Sequence, residues 1–456
     1  MRIAVIGSGH VGLTTAVCLA FCGHHATVID VDRERIERLT GGSLPFFEAG
    51  LEELFQRASH HLHFTTDFSA ASEVEACLLA VPSPTAENGG VDLSFMRTAL
   101  TELGRALSLR SRPEPLLIVN KCTVPVGTVA MAAEWLNTQI EKDPGAASSS
   151  ELPRARFTLS NAPEFLREGL AVRDTLYPDR LVFGVESEPD ERILRDLYVP
   201  ILERSFPELA LGEATPSSLP GLIVTSVMTA ELIKYAANTF LATKLSFINE
   251  MATLSAALGI SIEDVADGIG LDHRIGRGFL TAGIGWGGSC LGKDIQALVG
   301  TAQEYGLPTP LLEAAMEVNE RQRGVVARLL QEELHVLRGS RIGLLGLAFK
   351  PGTDDLRDAP SLEIARRLLA LGASVSGYDP VVREVPLQGV KVQNSVAAVA
   401  AGSDALVLVT EWEEFRDLPW PDLAATMRHA VFIDGRNMMP PGQLQDAGFR
   451  YRGIGR

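Results

Sequence analysis

Met1-Arg2-Ile3-Ala4-Val5-Ile6-Gly7-Ser8-Gly9-His10-Val11-Gly12 opens the chain. Residues 2–6 are a short apolar run, Gly7 to Gly12 fit G-x-G-x-x-G, and an apolar helical pattern fills 13–23. A strand, a glycine turn and a helix in that order make the phosphate corner of a dinucleotide fold. The first glycine permits the tight turn, the second lets the backbone approach a pyrophosphate, and the third lets helix pack on strand. The helix N-terminus, with His10 and Val11 in its turn, presents N–H groups to the phosphates. A second apolar run, Ala26–Ile29, ends in Asp30. A carboxylate about 20 residues beyond the glycines suits a ribose 2′-hydroxyl and repels a 2′-phosphate, so NAD is favoured over NADP. Arg35 stands nearby, the residue type that accepts a 2′-phosphate when one is bound.

Further strand candidates follow outward from this corner: Ala76–Ala80, Pro115–Val119 and Leu181–Val185, with helical patterns between several of them. That alternation predicts a doubly wound parallel sheet. Pro82 and Thr85, in Val81-Pro82-Ser83-Pro84-Thr85, and Cys122 and Thr123, in Lys121-Cys122-Thr123-Val124-Pro125, follow strands and mark one carboxyl edge of the sheet, where ligands bind in such folds. Residues 143–150 read as a surface loop and 212–221 as a low-order stretch. The segment 222–258 has helical spacing with few breakers, so one long helix or two in line is expected there, with no strand. A second helical stretch covers about 308–337. From 341 the α/β pattern returns, with strand candidates Ile342–Leu347, Ser374–Tyr378, Ala405–Val409 and Val431–Ile433. The expected fold is α/β, with two Rossmann-like doubly wound domains joined by a central helical domain with a long helix. Its boundaries are 1–212, 213–325 and 326–456, and the two α/β halves are candidate structural echoes of each other.

The 456 residues are 46% hydrophobic and 21% charged, which suits a globular protein of two to four domains and excludes a disordered one. The formal charge of −16 and the lack of any basic run argue against a nucleic-acid partner. An anionic substrate must then be met by local Lys and Arg and by helix N-termini. Five cysteines, with no C-x-x-C, make disulfides and a zinc site unexpected and fit a reducing cytoplasm. No signal peptide is expected, since the N-terminus enters a strand at once, and no membrane span, since no charge-free apolar stretch of ~18 residues is present.

Gly283-Ile284-Gly285-Trp286-Gly287-Gly288-Ser289-Cys290-Leu291-Gly292-Lys293-Asp294 holds five glycines in the ten residues 283–292. Such a loop costs backbone entropy and makes sense where its backbone lies close against a ligand. A thiol near a helix N-terminus and an ammonium favours its thiolate, so Cys290 is a candidate nucleophile. A buried packing cysteine is the ordinary alternative. Glu231, Lys234, Tyr235 and Asn238 share a helix face by spacing. They form either a solvated stripe or a set that aims Lys234 and Asn238 at an oxyanion. In Pro163-Glu164-Phe165-Leu166-Arg167-Glu168-Gly169, Glu164 and Glu168 are expected on one side of a short helix.

These motifs together resemble the UDP-glucose/GDP-mannose dehydrogenase family. The resemblance runs from Gly7 to about Asn437 on G-S-G-H-V-G, V-P-S-P-T, T-V-P-V-G-T, N-A-P-E-F-L-R-E-G, K-Y-A-A-N, G-I-G-W-G-G-S-C-L-G-K-D, A-F-K-P-G-T-D-D-L-R and D-G-R. It implies a four-electron, NAD-dependent oxidation of UDP-glucose to UDP-glucuronate. In it Cys290 attacks the C6 aldehyde, and the thiohemiacetal goes on to a thioester that water cleaves. An aldehyde cannot readily give up its remaining C–H as hydride in that form, whereas its thiol adduct is an alcohol equivalent. The resemblance places Lys234 and Asn238 as oxyanion donors, Asp294 at the water or proton shuttle, and Thr123, Glu164 and Glu168 in the active site, with Glu168 in acid/base work on the thioester. It assigns Gly7, Gly9, His10, Val11, Gly12, Asp30, Arg35, Pro82, Thr85, Cys122, Thr123, Glu168, Lys293 and Arg357 to the cofactor. Glu164, Phe165, Leu166, Lys234, Asn238, Phe279, Leu280, Gly283, Gly287, Cys290, Phe349, Lys350 and Arg436 fall to the nucleotide sugar. Arg274 would reach the substrate of a neighbouring subunit in a homodimer or larger assembly built on the long helix. Cys122 stands where the family often has Ser, and His10 where an aromatic is frequent. Two alternatives stay open: the same chemistry on GDP-mannose or a UDP-N-acetylhexosamine, and a two-electron β-hydroxyacid-type dehydrogenase.

Overall fold

Buried on both faces, the apolar runs at 2–6 and 76–79 lie side by side at the centre of a sheet. The computed structural model describes residues 1–86, 89–108, 110, 112–142, 157–209 and 216–456. The loop expected at 143–150, and residues 212–215 of the low-order stretch, lie outside them. The chain forms two compact units, Met1–Ala236 and Ala237–Arg456.

In the first unit β1 (Arg2–Ile6), β2 (His25–Ile29), β3 (Leu62–Thr65), β4 (Ala76–Leu79), β5 (Leu116–Asn120), β6 (Phe157–Asn161), β7 (Arg180–Gly184) and β8 (Gly221–Thr225) make one sheet. The order is β3-β2-β1-β4-β5-β6-β7-β8, parallel throughout except between β6 and β7. Strand alternation explains the two-sided core. Ile3 and Val5 pack with Leu13, Val17 and Leu54 on one face, while Ala4 and Ile6 pack with Leu100, Leu103 and Ile118 on the other.

The second unit repeats the scheme with β9 (Arg341–Leu345), β10 (Ser374–Tyr378), β11 (Val390–Val392), β12 (Ala405–Leu408), β13 (Val431–Asp434) and β14 (Arg450–Gly453). They lie in the order β11-β10-β9-β12-β13-β14, all parallel. Both sheets therefore carry the Rossmann order 3-2-1-4-5-6, the first with two added strands. The echo extends to hydrogen bonds. Gly7 N donates to Ile29 O at 2.8 Å and Gly346 N to Tyr378 O at 2.8 Å. The residue after each glycine donates its N–H to the aspartate that ends the second strand: Ser8 to Asp30 at 2.7 Å, and Leu347 to Asp379 at 2.8 Å. Asp379 is sealed, with Trp412 Nε1 on its carboxylate at 3.0 Å, so in the second unit the aspartate holds the loop and is closed to a ribose.

One expectation needs correction. Residues 221–225 form β8, pairing β7 in parallel, and the long helix begins only at Val227 and runs to Leu258. The half-exposed face of this last strand blends into the helical spacing that follows it. The stretch 308–337 is two helices, Pro310–Gln322 and Val325–Leu334, parted at Gly324.

Candidate active site

At the carboxyl edge of the first sheet, the glycine turn follows β1. Gly7 has φ +101°, and a Cβ there would meet Ala80 O at 2.4 Å; a Cβ on Gly12 would sit 1.9 Å from Gly7 O. Gly9 has nothing within 4 Å of such a Cβ. The outer two glycines are thus demanded by the protein itself, and the middle one borders open space at the start of the helix His10–Phe21, as a pyrophosphate requires. Gly12→Ala is expected to cost at least the roughly 1–3 kcal/mol of an overpacked core and to weaken NAD binding more than tenfold, checked by thermal unfolding and NAD titration. Ser8 Oγ also donates to Asp30 Oδ2, at 2.6 Å, and Arg35 lies 3.8 Å from that oxygen and 3.7 Å from Asp32. Two carboxylates hold the guanidinium, an arrangement that repels a 2′-phosphate and fits NAD.

The loops after β4 and β5 come next on this edge. Pro82 and Thr85 are exposed. Thr123 is half-buried, while the Cys122 thiol turns inward, its Sγ 3.4 Å from Leu79 O. Residues 163–169, expected as a short helix, are an irregular loop ending in a turn, so Glu164 and Glu168 share no helix face. The polar groups that would close a helix are engaged elsewhere. Glu164 Oε2 accepts from Leu166 N at 2.8 Å, Arg167 N donates to Asp174 at 2.8 Å, and Glu164 O accepts from Lys234 Nζ at 2.6 Å. Local carboxylate bonds of this kind compete with helix. Glu48, which the sequence reading passed over, fixes the far end by accepting from Gly169 N and Ala171 N at 2.7 and 2.8 Å.

Lys234 is buried, with Nζ 3.0 Å from Glu164 Oε1 and 5.4 Å from the centroid of the Phe165 ring. Arg180 lies over the same ring at 3.8 Å. Glu164, Phe165 and Leu166 line an open cleft of about 420 Å³ with Lys121, Arg180 and Tyr198. The polar stripe on the long helix is not solvated: Glu231, Lys234 and Tyr235 are buried. Glu231 accepts from Gly127 N and Val129 N at 2.6 and 3.0 Å, which caps the helix Thr128–Lys142. Burial raises its carboxyl above the usual range, against the pull of those two bonds.

In the second unit Cys290 is the N-cap of the helix Leu291–Glu304 and is exposed. Its four counterparts are less available. Burial pushes the Cys22 and Cys77 thiols up to about 12 and Cys18 well above its ordinary value, and Cys122 is buried. Ser289 Oγ lies 3.5 Å from Cys290 Sγ. One turn on, buried Asp294 accepts from Asn238 Nδ2 at 2.6 Å and pairs with Lys293 Nζ at 2.8 Å. The glycines of this loop prove to be set by protein rather than by open space: a Cβ on Gly287 would meet Asp358 O at 2.3 Å, and on Gly288 Phe349 Cε2 at 2.6 Å. Polar residues outside any motif hold the loop. Asn249 Oδ1 accepts from Gly283 N at 2.8 Å, Gln322 donates to Gly283 O at 2.6 Å, and Asn319 Oδ1 accepts from Trp286 N at 2.8 Å.

Lys350 and Arg436 follow strands at the carboxyl edge of the second sheet. Arg436, after β13, donates to Val409 O at 2.7 Å, Gly285 O at 3.4 Å and Phe349 O at 3.3 Å. Lys350 lies 5.5 Å from the Phe349 ring centroid. Leu280 is buried and Phe279 has φ +61°. Arg274 is exposed and forks onto Asp272, and Arg357 is exposed and forks onto Asp355. Among the described residues, no cluster of three or more His, Cys, Asp or Glu is arranged to hold a metal, and no helix is long and apolar enough to cross a membrane.

Comparison with known proteins accounts for this arrangement. Three models of the UDP-glucose/GDP-mannose dehydrogenase family match in order: the NAD binding domain over residues 1–202, the central domain over 228–321 and the UDP binding domain over 343–441. A UDP-glucose 6-dehydrogenase of Pseudomonas aeruginosa is 39% identical, over 100% of this chain and 98% of its own. One from Haloferax volcanii is 38% identical, over 96% and 97%. A UDP-glucose dehydrogenase structure from Pyrobaculum islandicum superposes with a TM-score of 0.86 at 34% identity, over 100% of this chain and 97% of that one. With a dinucleotide corner, a glycine-borne thiol and a second nucleotide fold in one chain, and with relatives alike from end to end, this protein belongs to the UDP-glucose/GDP-mannose dehydrogenase family and carries its NAD binding domain.

Proposed function

We propose that the chain oxidises UDP-glucose to UDP-glucuronate, with Cys290 as the covalent catalyst. The observation that carries the reading is the thiol itself: exposed, at the N-terminal end of a helix, on a loop that its own unit holds firmly. The positive end of the helix favours thiolate over thiol. NAD, when bound, supplies the hydride acceptor, held by Gly7, Gly9, Gly12 and Asp30.

Cys290 Sγ bonds to C6 of the aldehyde, and the carbonyl oxygen takes up the negative charge. Lys234 and Asn238 are the donors assigned to that oxygen. The adduct keeps the aldehyde's C6 hydrogen and gains an oxyanion on the same carbon that can expel it as hydride, so a second oxidation becomes possible and leaves a thioester. Water then releases the acid and frees the thiol. Glu168 serves as acid/base at this stage, with Asp294, Thr123 and Glu164 positioning water and sugar. Phe279, Leu280 and the main chain at Gly283 and Gly287 fit the sugar, while Lys350 and Arg436 supply positive charge for the diphosphate against a net charge of −16. Purified protein is expected to form two NADH per sugar, with kcat/KM highest for UDP-glucose in a panel holding GDP-mannose and UDP-N-acetylhexosamines. A one-to-one ratio with an aldehyde product contradicts the reading.

The working division into domains is 1–212, 213–325 and 326–456, and the cytoplasm is the proposed location. The assembly is a homodimer or larger, built on the long helix, with Arg274 reaching the neighbouring subunit's substrate. Support comes from the apolar side chains this helix leaves in solvent, Met228, Leu232, Phe240, Phe247, Leu254 and Leu258, with Phe240 67% exposed. Exposed apolar groups in such a row mark an interface. Phe240→Glu is expected to shift the protein toward monomer in analytical ultracentrifugation; an unchanged dimer excludes this face.

A further inference from the structure

We propose that Arg323 and Asp358 form a clamp that positions the Cys290 thiol, a role that rests on the nucleophile reading above. Arg323 follows directly on the helix Pro310–Gln322. Its guanidinium forks onto Asp358, Nη1 to Oδ1 and Nη2 to Oδ2, both at 2.7 Å. The same Nη2 donates to Trp286 O at 3.2 Å. Asp358 completes the ring from the other side, since its carbonyl accepts from Gly288 N at 3.2 Å. The closed path runs Arg323, Trp286, Gly287, Gly288, Asp358 and back to Arg323, and it ends two residues before the thiol.

Three features set this apart from an ordinary surface ion pair. The Arg323 side chain is only 12% exposed. The contact is bidentate, the geometry in which Arg fixes orientation and not merely charge. Asp358 has φ +47°, a left-handed conformation uncommon outside glycine and adopted mainly by Asn and Asp. That conformation carries its carbonyl toward Gly288 N, and Gly287 has no room for a side chain beside the same carbonyl. The loop is therefore seated on the main chain of Asp358, and Arg323 holds Asp358 in place. The direction in which the first N–H groups of the helix Leu291–Glu304 face the sulfur follows from that seat. Both residues are positioning residues: neither touches the sulfur.

The test measures carbamidomethylation of Cys290 by iodoacetamide against pH, read by peptide mass spectrometry on the full-length protein, beside steady-state kinetics. Asp358→Asn keeps a side chain that tolerates the left-handed conformation but loses the charge, and Arg323→Gln loses the fork. In both, the alkylation midpoint is expected to move to higher pH. Acid-forming kcat is expected to fall about 10- to 100-fold, the scale of a slightly misplaced reacting group, with KM for NAD unchanged. Arg323→Lys is expected to recover part of both. Wild-type alkylation profile and kcat in folded Asp358→Asn overturn the clamp, and if Arg323→Gln does not fold, Asp358→Asn decides alone. Alkylation is read without turnover. Failure of the covalent mechanism, seen as undiminished NADH yield in Cys290→Ser, therefore stays distinct from failure of the clamp.

Discussion

Cys290→Ser is expected to abolish UDP-glucuronate formation while leaving NAD affinity unchanged. A serine hydroxyl at the same helix N-terminus stays protonated where a thiol ionises, so C6 gains no reactive nucleophile and no thioester forms. The loss should be on the order of 10⁴- to 10⁶-fold in kcat, the scale reached when a covalent nucleophile is removed. The glycine corner and Asp30 belong to the other compact unit, which is why cofactor titration should match wild type. The variant is checked by product analysis in single-turnover mixtures and by NAD titration.

Lys234→Met is the second large effect. Its ammonium is assigned to the oxyanion, and loss of one such donor costs about 10²- to 10³-fold in kcat. The same ammonium is bonded to Glu164 O and Oε1 at 2.6 and 3.0 Å in buried surroundings. Breaking a buried pair from one side destabilises by roughly 3–5 kcal/mol, because a charge is left without its partner. Denaturant unfolding and steady-state kinetics separate the two losses. Adding Glu164→Gln to Lys234→Met should restore part of the stability, since no lone carboxylate remains, without restoring turnover. Recovery of both together would mean that Lys234 acts only as a structural counter-ion.

What the sequence discloses follows from how far a signal depends on neighbours along the chain. The strands at 2–6, 76–79 and 405–408 lie at or near sheet centres, buried on both faces, so their apolar runs stand out. β8 has one half-exposed face and abuts a helix, so its five residues carry no pattern of their own. The loop 163–169 carries the local marks of a helix start, Pro163 and two glutamates, without forming one. What prevents one are bonds to Lys234 and Glu48, distant in sequence, and to Asp174 seven residues on from Arg167. The glycine corner, Asp30 and Cys290 were legible because their chemistry is tied to local spacing. Asn249, Asn319, Gln322, Arg323 and Asp358 were not: each is an ordinary polar residue whose role exists only once the fold brings it to the glycine loop. Of the two readings of the polar face of the long helix, the solvated stripe fails, since Glu231 and Lys234 turn inward to cap and to pair while an apolar row faces solvent.

The most direct measurement is rapid acid quench of the protein turning over UDP-glucose and NAD, followed by mass spectrometry of the peptide that contains Cys290. The expected result is a transient UDP-glucuronyl adduct on that cysteine, rising before the acid and decaying as it appears. Acid formed at the full steady-state rate, with residue 290 unmodified at every time point, would contradict covalent catalysis by this thiol.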